Sequence, residues 1–205
     1  VAVATIIDTW GSAPVPTGGQ MVIGKDGDFE GSVSGGCVEG EVITEAVECL
    51  ESGQARTLVY GVEDETAWRV GLPCGGRIQI HVERLAGPKD AAFLDQVVQA
   101  RRARQALVIR TRLDGNGRQV YARDDADLPE DIERRFASAA SGIVEDEDGR
   151  AFVHARVPPP RIIIIGATHM AQALSSLVVI NGFEVIVVDP RTAFAAAARF
   201  PGVQL

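Results

Sequence analysis

RIIIIGATHMAQALSSLVVINGFEVIVVD, residues 161–189, is the stretch on which the fold turns. Ile162 to Ile165 is an unbroken β-branched run, the pattern of a parallel strand buried on both faces. Gly166-Ala167-Thr168-His169-Met170-Ala171 follows at once, and an apolar helix then runs to about Ile180. Phe183 to Val188 forms the next buried strand, which ends at Asp189. A β-turn-α-β order of this kind opens a doubly wound parallel sheet. Such a sheet needs several more strands than the remaining residues to Leu205 can supply. Residues 161–205 are therefore expected to be a Rossmann-like domain that is incomplete here.

Upstream, Pro158-Pro159-Pro160 marks the clearest boundary, because three prolines continue neither strand nor helix and make a stiff spacer. Residues 88–157 are expected to form a bridging segment. It holds a helix from Pro88 to Gln105, a strand from Leu107 to Leu113, a turn at Asp114-Gly115-Asn116-Gly117 and a further short strand. A helix from about Pro129 to Ala140 and a strand from Ala151 to Val157 complete it. Residues 1–85 give a small β-rich unit with one helix. Val1 to Thr9 is a buried strand, and Met21 to Ile23 with Asp28 to Val33 flank an Asp26-Gly27 hairpin turn. Val38, Val42, Ile43, Ala46, Val47 and Leu50 recur at helical spacing, with Gly53 as a left-handed cap. Thr57 to Tyr60 and Arg77 to Glu83 are further strands. The fold class is α/β: an α+β N-terminal region, 1–157, followed by the start of a parallel βαβ domain.

With 205 residues, 46% hydrophobic and 23% charged, the chain has the composition of an ordinary globular protein with a sizeable core. Its net charge of −8 argues against nucleic acid or an anionic membrane surface as partner, since both call for a basic face. No apolar stretch approaches the ~20 residues of a membrane span. Cys37, Cys49 and Cys74 cannot all pair and form no CxxC motif, which fits a reducing cytoplasm better than a disulfide framework.

The chemistry concentrates in two glycine–cysteine turns. Gly31-Ser32-Val33-Ser34-Gly35-Gly36-Cys37-Val38-Glu39 leads from a strand into a helix start. Successive glycines let backbone N–H groups converge there, and the helix start adds unsatisfied donors, so the turn suits phosphate or another anion. A thiol at a helix start favours its thiolate, the form that binds soft metals. Gly71-Leu72-Pro73-Cys74-Gly75-Gly76-Arg77 repeats the arrangement at the start of a strand, with a cation beside it. The loop Gly11-Ser12-Ala13-Pro14-Val15-Pro16-Thr17-Gly18-Gly19 is of similar style. The bland alternative is that the glycines only permit tight turns and the cysteines are buried fillers; Cys49, in mid-helix, is read that way.

In the C-terminal turn the candidate nucleotide contacts are Gly166, Thr168, Ala171 and Asp189. Asp189 is placed for a ribose hydroxyl, but a dinucleotide fingerprint has glycine where Thr168 stands, and a β-branched side chain obstructs the pyrophosphate. Other candidates are weaker. His81 and His154 read as satisfied strand histidines, Glu63-Asp64-Glu65 as a solvated loop, and Trp10 and Trp68 as packing residues able to stack on a ring. Glu39 reads as an acid favoured at the helix start by the dipole alone.

GSVSGGCVEGEV (31–42), GLPCGGRIQIHVE (71–83), TWGSAPVPTGGQMVIGKDG (9–27) and FEVIVVDPRTAFAAAARFP (183–201) together resemble the xanthine dehydrogenase accessory factor family of XdhC/CoxI type. The resemblance covers the N-terminal unit and the start of the C-terminal one, in the family's order. It implies an accessory factor without catalytic residues of its own. Such a factor binds molybdenum cofactor, protects it during sulfuration and delivers it to a molybdenum hydroxylase. Carried over, the contacts are Ser34, Gly35, Gly36 and Cys37 with Cys74, Gly75 and Gly76. Arg77 lies beside them, and Cys37 and Cys74 are candidate molybdenum ligands. The expected partners are the target enzyme, of xanthine dehydrogenase or CO dehydrogenase type, and a cysteine desulfurase, with the factor itself a homodimer. Two other readings stay open: an NAD(P)-dependent oxidoreductase built on the C-terminal unit, and a degenerate assembly module.

Overall fold

The computed structural model of the chain describes residues 1–61, 75–147 and 149–205. These divide into two compact units, Val1–Val157 and Pro158–Leu205.

The first unit holds two antiparallel sheets. One comprises Ala2–Trp10 (β1), Gln20–Ile23 (β2), Phe29–Gly31 (β3), Arg56–Tyr60 (β4) and Arg77–Arg84 (β5), in the order β3-β2-β1-β5-β4. β1 sits at its centre, paired with β2 on one side and β5 on the other. Its alternation sends Ala2, Ala4 and Ile6 into a core with Val42, Ala46 and Cys49 of the helix Glu39–Ser52 (α1). Val3, Thr5 and Ile7 point to the opposite face and are also buried, so β1 is covered on both sides. Fully burying an Ile or Val side chain contributes about 1.5–3 kcal/mol, and this core holds many such residues. α1 ends where its apolar spacing does: Gly53 takes φ 74° and its N–H closes on the Cys49 carbonyl at 2.9 Å.

The second sheet comprises Leu107–Arg112 (β6), Arg118–Ala122 (β7), Gly142–Asp146 (β8) and Gly149–Arg156 (β9), in the order β7-β6-β9-β8. The helix Pro88–Arg102 (α2) precedes it, and Glu130–Ser138 (α3) packs Ile132 and Phe136 on Val108 and Val153. The stretch expected to bridge two domains is thus a sheet with a core of its own. β8 is absent from the strands expected of the sequence because only Ile143 and Val144 in it are apolar.

In the second unit Arg161–Ile165 (β10) and Glu184–Val188 (β11) pair in parallel across the helix His169–Ile180 (α4). Beyond β11 the chain passes a 3-10 turn at Ala197–Arg199 and returns to lie parallel to β11 at Gln204, whose carbonyl accepts from Val187 N at 2.9 Å. The first strand therefore lies at one edge, with the second and the beginning of a third following in order, as in one half of a doubly wound sheet. Ile162 to Ile165 departs from the expectation of burial on both faces: Ile163 is 60% and Ile165 87% exposed. The physical reason is that α4 covers one face only. Ile164 packs with Ala167, Ala171, Val185 and Val187 on that side.

Candidate functional site

The β3–α1 turn is built around one side chain. Glu39, the first residue of α1, folds its carboxylate back under the turn. Oε1 accepts from Ser32 Oγ at 2.7 Å, Val33 N at 3.1 Å and Ser34 N at 2.8 Å. Oε2 accepts from Gly36 N at 2.8 Å and, in a very short contact, from the Ser34 hydroxyl. Ser34 Oγ in turn accepts from Cys37 N and Val38 N, both at 2.9 Å, and Ser32 Oγ from Gly35 N at 2.9 Å. Burial by itself would raise the Glu39 carboxyl, but the hydrogen bonds from Ser34 and Ser32 outweigh it and hold it at about 2. The converging amides expected to await an external anion thus already have one, supplied by the protein. Ser34 and Glu39 do not have the Ser-x-x-Glu spacing of a capping box, so no local signal announces this closure. Dipole preference alone does not account for Glu39.

Ser34, at 1% exposure, is accordingly a structural member of the turn, whereas Gly35 and Gly36 lie on its surface. Cys37 is half-buried, its side chain at the rim of the α1 core. The Gly11–Gly19 loop joins this turn to the start of β5. Pro14 lies over Gly35, where an added Cβ would sit 3.4 Å from the proline ring. At Gly76 an added Cβ would collide with the Ser12 carbonyl, so only glycine admits the loop this close. Trp10 and Arg77 are register partners at this end of β1 and β5. Trp10 is 71% exposed, contrary to its expected packing role, because β1 has left the covered part of the sheet there. Ser34 to Cys37, Gly75, Gly76 and Arg77 are thereby gathered at one end of one sheet. Among the described residues, a Cβ added at Gly36, Gly40 or Gly75 would meet nothing within 4 Å. Backbone is thus bare at these glycines, with the Cys37 thiol beside Gly36 and the Trp10–Arg77 pair beside Gly76. Cys74, Trp68 and Glu63-Asp64-Glu65 lie outside the described residues.

The turn of the second unit is closed in a related way. Thr168 caps α4 by accepting from Ala171 N at 3.3 Å. Asp189 Oδ2 accepts from Ala167 N at 2.8 Å, and Arg191 grips both carboxylate oxygens at 2.9 and 2.7 Å. The Arg191 side chain and backbone, with the Ala167 N–H, hold the Asp189 carboxyl far below the usual carboxylate range. The groups expected to meet a ribose and a pyrophosphate are thus engaged within the unit. Arg199 adds a strap, donating to the carbonyls of Ala167 at 3.1 Å and Phe194 at 2.6 Å.

One histidine expected to be satisfied is different in the structure. His81 is 3% exposed and its Nε2 has no partner among the described residues, while His154 stands on the same cavity wall. Cys49 is fully buried in the first core, the role its mid-helix position suggests. Among the described residues no group of three or more His, Cys, Asp or Glu could hold a metal ion, and no helix is long and apolar enough to cross a membrane.

Fold and site together define a glycine–cysteine α+β unit followed by a Rossmann-type βαβ unit, and comparison with known proteins finds this pairing again. Residues 1–61 match the XdhC and CoxI family, and residues 162–204 match the XdhC Rossmann domain. The chain is 29% identical over 208 residues to a Bacillus subtilis (strain 168) protein named as a probable xanthine dehydrogenase subunit, covering 97% of this chain and 62% of that protein. It is 42% identical over 81 residues to the molybdenum cofactor insertion chaperone PaoD of Escherichia coli (strain K12), covering 40% of this chain and 25% of PaoD. A crystal structure described as a xanthine dehydrogenase from Bacillus halodurans superposes with a TM-score of 0.73 at 25% identity, over 98% of this chain and 62% of that one. This chain belongs to the XdhC and CoxI family. It spans less than two thirds of the length of the Bacillus relatives it matches.

Proposed function

We propose that this chain handles molybdenum cofactor as cargo and passes it, in sulfurated form, to a molybdenum hydroxylase of xanthine dehydrogenase or CO dehydrogenase type. The observation that carries the reading is the bare glycine backbone of the two turns, with Cys37 next to one and the Trp10–Arg77 pair next to the other. The similarity to PaoD, a molybdenum cofactor insertion chaperone by name, supports it.

The donor set fits such a cargo. Cys37 offers a soft sulfur for the metal, Arg77 a cation for the terminal phosphate, and Trp10 an exposed indole face for the pterin. Because Glu39 takes the turn's amides, the loop acts as a preformed platform, and Arg77 carries the anion recognition. Cys74 completes the proposed ligand pair. A bound cofactor supplies the dithiolene-held metal, while this chain orients it and shields it from water. A cysteine desulfurase as sulfur donor and a homodimer as the working form belong to the same proposal.

Anaerobic titration of isolated molybdenum cofactor into the protein tests it, with Cys37→Ser, Cys74→Ser and Arg77→Gln alongside. Stoichiometric binding weakened about tenfold or more by each change is expected, a difference of about 1.4 kcal/mol. Unchanged affinity in a folded Cys37→Ser/Cys74→Ser double variant would remove both thiols from the site.

A further inference from the structure

The face of the first sheet turned away from α1 looks onto β6, β9 and α2 across a partly open cavity of about 200 Å³. Its wall is mostly apolar, with Ile7, Leu85, Phe93, Ile109 and Phe152 among the residues that form it. That volume corresponds to about six or seven waters, below the range of about 300–1,000 Å³ for larger ligands, so a pterin cofactor does not fit. The cavity is separate from the glycine platform and independent of the function proposed for it.

One polar group in it lacks the partner its burial calls for, and beside it stands a half-buried cation without a matching carboxylate among the described residues. His81 Nδ1 lies 3.4 Å from the Thr57 hydroxyl, and acceptance of that hydroxyl leaves the ring proton on Nε2. Nε2 is buried and donates to nothing among the described residues. Leaving a buried donor unmet costs about 1–3 kcal/mol. Arg156, on the same wall, gives one hydrogen bond, to Gln20 Oε1 at 2.7 Å, and has no carboxylate partner among the described residues. The charge acting on it is a second cation, Arg101; burial first, and that cation second, hold its guanidinium below its ordinary range. The carboxylate on the wall, Glu83, is taken by Arg118 at 2.5 Å. A cation partly withdrawn from water is ordinarily matched by an anion.

From this geometry we infer that the cavity is a binding site for a small monocarboxylate with an apolar body, its carboxylate on Arg156 and the His81 Nε2–H and its body against Phe93, Phe152 and Ile109. A phosphate dianion suits the site less well, since the walls are apolar and Arg156 is its one unmatched cation among the described residues. Burial, and secondarily Arg118, push His81 down to about 4, so the ring stays neutral near pH 7 and serves as a directional donor while Arg156 supplies the charge.

Benzoate is the probe, titrated into the intact protein by calorimetry with thermal unfolding in parallel. Benzamide serves as the uncharged isostere, and inorganic phosphate as the anion without a body. Benzoate should bind and raise the melting temperature, with benzamide and phosphate weaker by about tenfold or more. Arg156→Gln should weaken benzoate by a similar factor. Leu94→Trp, which fills the cavity from a partly exposed helix position, should abolish binding while the protein stays folded. Absence of benzoate binding at about 10 mM would overturn the assignment, that being weaker than about −3 kcal/mol. Equal benzoate affinity in Leu94→Trp would do the same, whether or not Arg156→Gln folds.

Discussion

Two glycine turns of this chain, the β3–α1 turn of the first unit and the Gly166 turn of the second, are each closed by the protein's own carboxylate, but in opposite styles. Glu39 takes three backbone amides and two serine hydroxyls and has no cation partner among the described residues. Asp189 takes one amide of its turn, and the rest of its bonds come from Arg191, whose side chain is 55% exposed. Releasing Glu39 would orphan five donors, most of them buried. Releasing Asp189 frees one amide and an arginine that water can solvate, so fewer donors are orphaned, although the Asp189 side chain itself is only 1% exposed. The first turn is therefore a fixed platform, the second a latch.

The sharpest way to break this contrast is to remove Glu39. Glu39→Ala leaves buried amides and the Ser34 hydroxyl without an acceptor and should destabilise the first unit by about 4 kcal/mol. Glu39→Gln keeps one acceptor oxygen but points an amide group at N–H donors, and should cost about 2 kcal/mol. Urea unfolding at neutral pH measures both. Losses below about 0.5 kcal/mol, the usual scatter for surface changes, would show that the turn holds without its carboxylate.

Acid titration sharpens the same contrast. Glu39 is held at about 2 against an ordinary value of 4.5, so its contribution is present above pH 4.5 and is lost as pH falls toward 2. The two histidines of the cavity wall act earlier. His81, facing Arg118 and Glu83, and His154, facing Arg156, each sit at about 4 against 6.5, chiefly through burial. Protonation there favours the unfolded chain, so stability is intact above pH 6.5 and falls as pH drops toward 4. The slope approaches about 1.4 kcal/mol per pH unit for each ring. Melting temperature should thus decline in two stages, and Glu39→Gln should flatten only the lower one. A midpoint that stays constant from pH 7 to 5 would mean that the histidines are solvated.

Much of this fold is legible in the sequence, and the misses share a cause. α1 is readable because its apolar residues recur at helical spacing, and the βαβ unit because Ile162 to Ile165 and Val185 to Val188 are unambiguous strand runs. The glycine turns are legible as places where backbone is bared. What local pattern does not show is who occupies the donors. Glu39 reaches back five to seven residues to fill the turn, and whether a side chain folds inward depends on the strand and helix that frame it. His81 and His154 lie 73 positions apart on different sheets, so no spacing rule joins them. Trp10 reads as a packing residue by type, yet its exposure follows from where the sheet's cover ends.

The smallest effect tests the latch itself. Asp189→Asn keeps an oxygen for the Ala167 amide but loses the charge that draws in Arg191, so the turn should open more often without unfolding the unit. Hydrogen exchange at the Ala167 amide should quicken by about fivefold, with distant β11 amides unchanged. Arg191→Ala removes the exposed arm while leaving Asp189 in place. If Arg191 only tethers the carboxylate, this variant should quicken Ala167 by less than Asp189→Asn does. An equal acceleration in both would make the arginine an integral part of the closure, and the two turns would then differ in partner chemistry rather than in rigidity.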